Sequence, residues 1–277
     1  MNLSYNAWKT FCECPKKYYF KYRLKEAPTV PQNDYFALYG CLVERFFTMF
    51  SNIWRFNSPY MPENVIREKT ARLYEDLLAT STVIWNAPFV KFSRQDILAQ
   101  AQTDICAIMD SHNQNFFFNT QSEIDIKVST SVGIDLTGRI DFIHENPLDK
   151  RILLFDGKGT DKIGKNIDPN QILFYSLLYY FHFKRIPDEV GFFYYRFNEF
   201  YPVHIDMETI NTLRAKVSLD IKDIASKTFW EARPCTKACK YCDYRNTCIE
   251  RLERASKRRK KSKMNIQEEG TVTLFGL

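Results

Sequence analysis

Gly138-Arg139-Ile140-Asp141, followed after a short interval by Ile152-Leu153-Leu154-Phe155-Asp156-Gly157-Lys158, is the stretch on which the fold turns. Arg151 to Gly157 has the apolar continuity of a buried strand, and Ile134 to His144 reads as the strand before it. Asn146-Pro147-Leu148-Asp149 between them spells a turn. Alternate residues of a strand point to the same side, so Asp156 and Lys158 share a face while Gly157 presents only backbone. Asp141, ending the preceding strand and joined by a short turn, can then lie beside Asp156. Asp156-Gly157-Lys158-Gly159 by itself would be simply a turn. The apolar run before it, the carboxylate one strand earlier and the helix after it argue for a site instead.

That helix opens at Asp168-Pro169, with Asp as N-cap and Pro in the first helical position, and runs through Phe183. It is apolar nearly all round, as a core helix is. Gln171 and Tyr175 are spaced i, i+4, one above the other at its N-terminal end, where phosphate oxygens are favourably received. Their plainer roles would be a capping partner for Asp168 and a core aromatic. Asp141, Asp156 and the backbone carbonyl of Gly157 make an all-oxygen site suited to Mg²⁺ or Mn²⁺. A lysine beside such a metal, here Lys158, can orient and help deprotonate an attacking water. Phosphodiester hydrolysis needs these parts.

Outward from this centre, Ser4 is placed to cap a helix running to about Cys12, which Pro15 ends. Lys16 to Lys25 is basic and aromatic. Leu38 to Trp54, Glu63 to Leu78 and Arg94 to Phe118 carry helical periodicity. Ser122 to Thr130 alternates as a strand, with Ile124, Ile126 and Val128 on one face. Val190 to Phe197 and Tyr201 to Ile205 form an expected strand pair, and Met207 to Lys227 a last helix. The class is α/β, a mixed sheet with helices packed on it.

Of the 277 residues, 45% are hydrophobic and 16% aromatic, which is ample for a core. No apolar run reaches membrane-span length. The nearest, Ile172 to Phe181, is bounded by Gln171 and His182 and interrupted by Ser176. Met1-Asn2-Leu3-Ser4 leads into a polar, aromatic helix and not a signal peptide, so an intracellular, cytoplasmic or nucleoid location is expected. The net charge of +6 is concentrated in residues 250–277, which leaves a nearly neutral body. Eight cysteines in such a protein point to metal or buried thiols and away from disulfides. Cys41 and Cys106 sit alone in apolar helical patterns. Cys239, Cys242 and Cys248 supply three thiolates, and a fourth must come from Cys235 or from the N-terminal pair Cys12 and Cys14. Tetrahedral zinc and a [4Fe–4S] cluster both suit four thiolates.

Taken together, these residues resemble the PD-(D/E)XK nucleases of the RecB-like type, among them the CRISPR-adaptation nucleases and the nuclease domains of AddB-type helicase–nucleases. The resemblance begins at Leu3-Ser4-Tyr5, Trp8, Phe11 and Cys14-Pro15-Lys16-Lys17-Tyr18. It continues through Gly40, Gly138 to Asp141, Asp156 to Lys158 and Gln171 to Tyr175, and closes on the cysteine cluster. It implies a restriction-endonuclease-like core in which Asp141 and Asp156 bind metal, Lys158 is catalytic, and Gln171 and Tyr175 form the trailing motif. Where that family usually has His four residues after the glycine equivalent to Gly40, this chain has Glu44. A carboxylate there still ligates a hard cation and favours Mg²⁺ over softer metals. The resemblance also implies a [4Fe–4S] cluster on Cys14, Cys239, Cys242 and Cys248, tying the N-terminal helix to the C-terminal segment.

The expected organisation is a nuclease domain over residues 1–250, with a helical insertion at 56–120, and a basic tail over 251–277. Arg258, Arg259, Lys260 and Lys261 in that tail can contact phosphates. Its apolar tip, centred on Leu274 and Phe275, resembles the peptides with which polymerases and nucleases bind sliding clamps. The implied activity is exonucleolytic, on DNA ends or single strands with 5′→3′ polarity, in repair, recombination or replication. A structure-selective endonuclease and a non-catalytic iron–sulfur DNA-binding module are the alternatives.

Overall fold

The computed structural model describes residues 1–28, 33–53, 61–87, 90–164, 167–233, 239–240 and 242–248. The tail residues Arg258, Arg259, Lys260, Lys261, Leu274 and Phe275, like Cys235, lie outside them. The chain divides into two units, one formed by residues 1–5 and 33–226 and the other by residues 6–32 and 227–277.

The larger unit is built on a six-stranded mixed sheet: β1 (Asn2–Leu3), β2 (Thr120–Val128), β3 (Asp135–Glu145), β4 (Ile152–Lys158), β5 (Glu189–Tyr194) and β6 (Glu199–Val203). β2 lies antiparallel along β3 from Thr120↔His144 to Val128↔Leu136. The opposite edge of β3 is shared. β1 pairs in parallel with its start, at Asn2↔Asp135 and Leu3↔Leu136. β4 pairs antiparallel with its end, from Phe142↔Phe155 to Glu145↔Ile152. Between them, residues 137–141 of β3 have no strand partner on that edge, and this opening positions the site. β4 and β5 are parallel, so the chain must cross over between them, which it does through helix α6 (Pro169–Phe183). Asp168 caps α6, accepting from the Asn170 N–H at 3.2 Å, and Lys184 ends it in the left-handed conformation at φ 61°.

The two faces of the sheet follow strand parity. Leu153 and Phe155 of β4, with Phe193 of β5, enter a core shared with helices α3 (Leu38–Ile53), α4 (Glu63–Thr80) and α5 (Arg94–Met109). Phe117 seals it, stacking on Phe47 with ring centroids 3.9 Å apart and meeting Phe142 edge-on at 5.4 Å. Phe117 is fully buried, and truncating such a ring costs about 3–5 kcal/mol. Even-numbered residues of β4 face α6, which packs against the amphipathic helix α7 (Met207–Ser226) through its buried Ile210, Leu213, Val217 and Ile221. A Cβ on Gly138 would lie 2.6 Å from Leu178 of α6, whereas Phe142, an even number of residues on, packs among the α3–α5 rings. So β3 changes the face it presents across Asp141. Beside that reversal the 123/141 pair is missing from the β2–β3 ladder, and Glu123 takes the left-handed φ of 52°.

Several boundaries differ from the sequence reading. The helix expected over Arg94 to Phe118 stops at Met109, where Ser111 and Asn113 turn the chain into a 3₁₀ segment over His112–Phe117. The strand expected to reach Phe197 ends at Tyr194, in a 3₁₀ turn over Tyr195–Phe197.

The smaller unit packs helix α1 (Tyr5–Glu13), helix α2 (Pro15–Tyr18) and a π-helix over Tyr19–Leu24 around Trp230. Trp230 stacks on Tyr18 at 5.5 Å and on Tyr19 at 5.4 Å, and meets Phe11 edge-on. The Lys16 N–H donates to the Glu231 carbonyl at 3.0 Å, and the Tyr244 hydroxyl to the Glu26 carbonyl at 3.0 Å. The two ends of the sequence thus build one core. Charge follows this division. The smaller unit holds 19 Lys or Arg against eight Asp or Glu, net +11; the larger holds 20 against 25, net −5. The nearly neutral body expected from the sequence, residues 1–249 at net +2, therefore divides into an acidic unit of −5 and a basic part of +7. Among the described residues no helix is long and apolar enough to cross a membrane.

Candidate active site

At the open edge of β3, six of the residues singled out by the sequence meet: Glu44, Asp141, Asp156, Lys158, Gln171 and Tyr175. Asp156 is 3% exposed, and its Oδ1 accepts from the Gln171 amide Nε2 at 2.7 Å. Lys158 pairs with the other oxygen of Asp156 and donates from Nζ to Gln171 Oε1 at 3.2 Å. One amide therefore bridges both members of the Asp156–Lys158 pair. Gln171 is not the capping partner of Asp168. Its side chain turns to the sheet, and only its backbone N–H returns to the Asp168 carbonyl, at 2.8 Å. Lys158 Nζ also lies over the Phe192 ring, 5.0 Å from its centroid, so a neighbouring strand holds the ammonium from the side.

Asp141 stands within β3, not at its end, since the strand runs on to Glu145. The Gly157 N–H donates to Asp141 Oδ2 at 3.3 Å, and the Asp141 and Asp156 carboxyls are in hydrogen-bonding reach of each other. Burial pushes both acids up, and for Asp141 the charges of Asp156 and Glu44 add to it. Glu44, one turn along α3 from Gly40, is half-buried and faces this group. Its carboxyl is pushed up to about 7, first by burial and then by Asp156 and Glu123. It is not a solvated helix charge. Tyr175 closes the other side. Its hydroxyl bonds with Gln171 and is pushed up to about 12, mainly by burial, and its ring meets Tyr5 edge-on at 6.5 Å.

Two features here escaped the sequence reading. Tyr195 is 1% exposed, and its hydroxyl has no hydrogen-bond partner among the described residues. Burial raises it, followed by the charges of Glu44, Asp141 and Asp156. A Cβ on Gly157 would sit 1.8 Å from that hydroxyl, so only glycine fits between the acid and the lysine. Likewise a Cβ on Gly159 would lie 2.7 Å from the Cα of Gly40, and this close approach seats the N-terminal turn of α3 against the end of β4. Asp156-Gly157-Lys158-Gly159 was the available signal for both approaches; the partner in each could not be read.

In the smaller unit, Cys14, Cys239, Cys242 and Cys248 line one cavity, with Lys16, Lys17 and Phe20. Cys12 does not line it: its carbonyl accepts from the Arg233 guanidinium at 2.7 Å, while the Arg233 N–H reaches Cys14 Sγ at 3.5 Å. Burial raises the Cys242 thiol. Cys106 is buried in the α3–α5 core. Among the described residues no group of three or more His, Cys, Asp or Glu side chains is arranged to hold a metal ion.

The model of the PD-(D/E)XK nuclease superfamily matches residues 2–249. The chain belongs to that superfamily. The mixed sheet flanked by helices is its restriction-endonuclease-like fold, and membership implies nuclease activity, for which such enzymes typically use divalent metals such as Mg²⁺ or Mn²⁺. No curated protein matches the chain. A solved structure titled "Crystal structure of SSO0001" shares 11% identity over 90% of this chain and 86% of that one, at a TM-score of 0.37, too low to carry an argument.

In this nuclease the crowding of Glu44 has a measurable consequence. An acid whose folded pKa is raised holds a proton that the unfolded chain has lost. Its stabilising contribution is complete below the ordinary value of 4.5 and is lost as pH rises through about 7. In EDTA, Glu44→Gln is therefore expected to melt above the unaltered protein at pH 8, with the difference shrinking to nothing near pH 4. A difference that is the same at both pH values would show that Glu44 does not face the acids.

Proposed function

We propose that the chain hydrolyses phosphodiester bonds of DNA, as an exonuclease on ends or single strands with 5′→3′ polarity, in repair, recombination or replication. The observation that carries this reading is the Gln171 amide joined at once to Asp156 and Lys158. A residue serving only the helix cap or the core would not tie a buried acid to a base beside the open edge of a sheet.

The donor types at this edge are those a divalent cation takes, although their side chains are not gathered into a closed ligand set among the described residues. Asp141, Asp156 and Glu44 are oxygen ligands that repel one another, and the Gly157 carbonyl completes a hard site. The partnerless Tyr195 hydroxyl lies against the same backbone. A bound Mg²⁺ or Mn²⁺ supplies Lewis-acid neutralisation of charge on the scissile phosphate. Lys158, held by Asp156, Gln171 and Phe192, orients the attacking water and stabilises negative charge developing on the phosphate oxygens. Tyr175 and Gln171 fix the lysine and exclude bulk water from its inner side.

The cavity lined by Cys14, Cys239, Cys242 and Cys248 suits a [4Fe–4S] cluster that fastens the two ends of the chain. For the tail, the sequence supports phosphate contact by Arg258, Arg259, Lys260 and Lys261, and clamp binding through Leu274 and Phe275. The test is digestion of DNA labelled at either end, single- and double-stranded, with Mg²⁺, Mn²⁺ or EDTA. Stepwise release of short products from the 5′ end, dependent on metal, is expected. Cutting in EDTA would overturn the metal reading, and a ladder of internal products would favour a structure-selective endonuclease.

A further inference from the structure

The acidic charge of the catalytic unit poses a problem for a protein that must hold a polyanion. At net −5 the unit repels nucleic acid, and its site adds Glu44, Asp141 and Asp156 where the substrate must dock. The basic unit does not rely on the tail for its charge: without residues 249–277 it still carries 11 Lys or Arg against four Asp or Glu. Among its described residues three of the five exposed cations, Lys21, Arg23 and Lys25, lie at the end of the π-helix; the other two are Arg233 and Lys240. Lys21 and Arg23 lie in the π-helix and Lys25 caps it in the left-handed conformation, so the three charges fall within about one turn of backbone, a span comparable to the Debye length of ~8 Å at physiological salt. Lys21 and Lys25 pair with no carboxylate among the described residues.

One contact leads from this cluster to an exposed aromatic. The Arg23 guanidinium lies over Trp230, 5.9 Å from the ring centroid, and Trp230 is locked by Tyr18 and Tyr19. The next residue, Phe229, is 71% exposed. A large ring held in water by a rigid neighbour, in a unit that also exposes lysines, is the combination that grips unpaired bases and their phosphates. A duplex would hide its base faces from Phe229. An anionic membrane surface would also satisfy the lysines, but Leu24 and one exposed ring give it little to insert.

We propose that the basic unit holds single-stranded nucleic acid, with phosphates on Lys21, Arg23 and Lys25 and a base stacked on Phe229. The inference rests on the nuclease reading and adds where the strand is held. Fluorescence anisotropy of labelled oligothymidylate, with the full chain in EDTA across a potassium chloride series, tests it. Lys21→Ala combined with Lys25→Ala is expected to weaken binding and to flatten the plot of log affinity against log salt by about 1.4, roughly 0.7 for each phosphate no longer neutralised. Phe229→Ala should lose about fivefold or more in affinity with the salt slope unchanged, and Phe229→Tyr should restore it. All three positions are exposed, so melting temperatures should stay put. Oligonucleotide binding by the unaltered chain that these variants leave untouched overturns the placement alone. Failure of the unaltered chain to bind oligonucleotide overturns the nuclease reading with it. Sedimentation with phosphatidylglycerol vesicles, abolished in the same variants and unaccompanied by oligonucleotide binding, assigns the surface to membranes and also overturns the proposal.

Discussion

Lys158→Ala is expected to lower the rate of DNA cleavage by about a thousandfold or more, equivalent to about 4 kcal/mol of barrier, while binding of the same DNA changes by no more than a few-fold. Lys158 is held by Asp156, Gln171 and the Phe192 ring, which position its ammonium. Its interaction with substrate strengthens as charge develops on the phosphate, so its loss appears in kcat and not in KM. Asp156→Ala should be as damaging to cleavage, because it removes a proposed metal ligand and the partner that orients Lys158. The two variants part company in stability. Without Lys158, Asp156 loses its ion-pair partner among neighbours that are themselves acidic, so Lys158→Ala should melt below the unaltered protein in EDTA at neutral pH. Asp156→Ala relieves that crowding and should not show the same loss. Single-turnover cleavage and thermal melts check both points. Cleavage by Lys158→Ala at the unaltered rate would mean that another group serves the water, and the assignment would fall.

Much of this centre could be read from residues alone, for reasons of period. A repeat of two puts Asp156 and Lys158 on one face, and a spacing of four puts Gln171 over Tyr175; both follow from backbone geometry, and the structure joins these side chains as that geometry requires. Asp168-Pro169 marked the start of α6 because each residue has one favoured place there. What could not be read depends on partners remote in sequence. Tyr195 looks like any aromatic at the end of an apolar strand, and only its approach to Gly157 shows that its hydroxyl belongs to the site. β1 is two residues long, too short to carry a period, yet with β4 it frames the gap at residues 137–141. The π-helix over Tyr19–Leu24 is a choice of hydrogen-bond register, which no pattern of side chains encodes. The charge division was hidden because the basic unit is assembled from both ends of the chain. Cys14 is a different case: its choice over Cys12 came from family resemblance, not from spacing.

The effect expected to be largest concerns those cysteines. Protein purified without oxygen should be brown and contain iron and acid-labile sulfide, and Cys14→Ala, Cys239→Ala, Cys242→Ala and Cys248→Ala should each bleach it. The physical reason lies in what else holds the smaller unit. Trp230 and its aromatic neighbours give it one small core, and its remaining ties are a few hydrogen bonds such as Lys16 to Glu231 and Tyr244 to Glu26. A core of that size stabilises little by itself, whereas a metal centre bound only by the folded form contributes its binding energy to folding, on the order of 10 kcal/mol for four-thiolate sites. Loss of one ligand should therefore unfold this unit first, seen as protease cleavage near residues 6–32 and 227–248 while the larger unit still melts cooperatively. Cys106→Ala, in the separate α3–α5 core, should stay brown and lose only what a small cavity costs. Cys12→Ala should also stay brown, because Cys12 offers Arg233 its carbonyl and does not line the cavity. Stoichiometric zinc without iron would keep the four ligands and discard the cluster. A bleached Cys12→Ala beside a brown Cys14→Ala would exchange the fourth ligand.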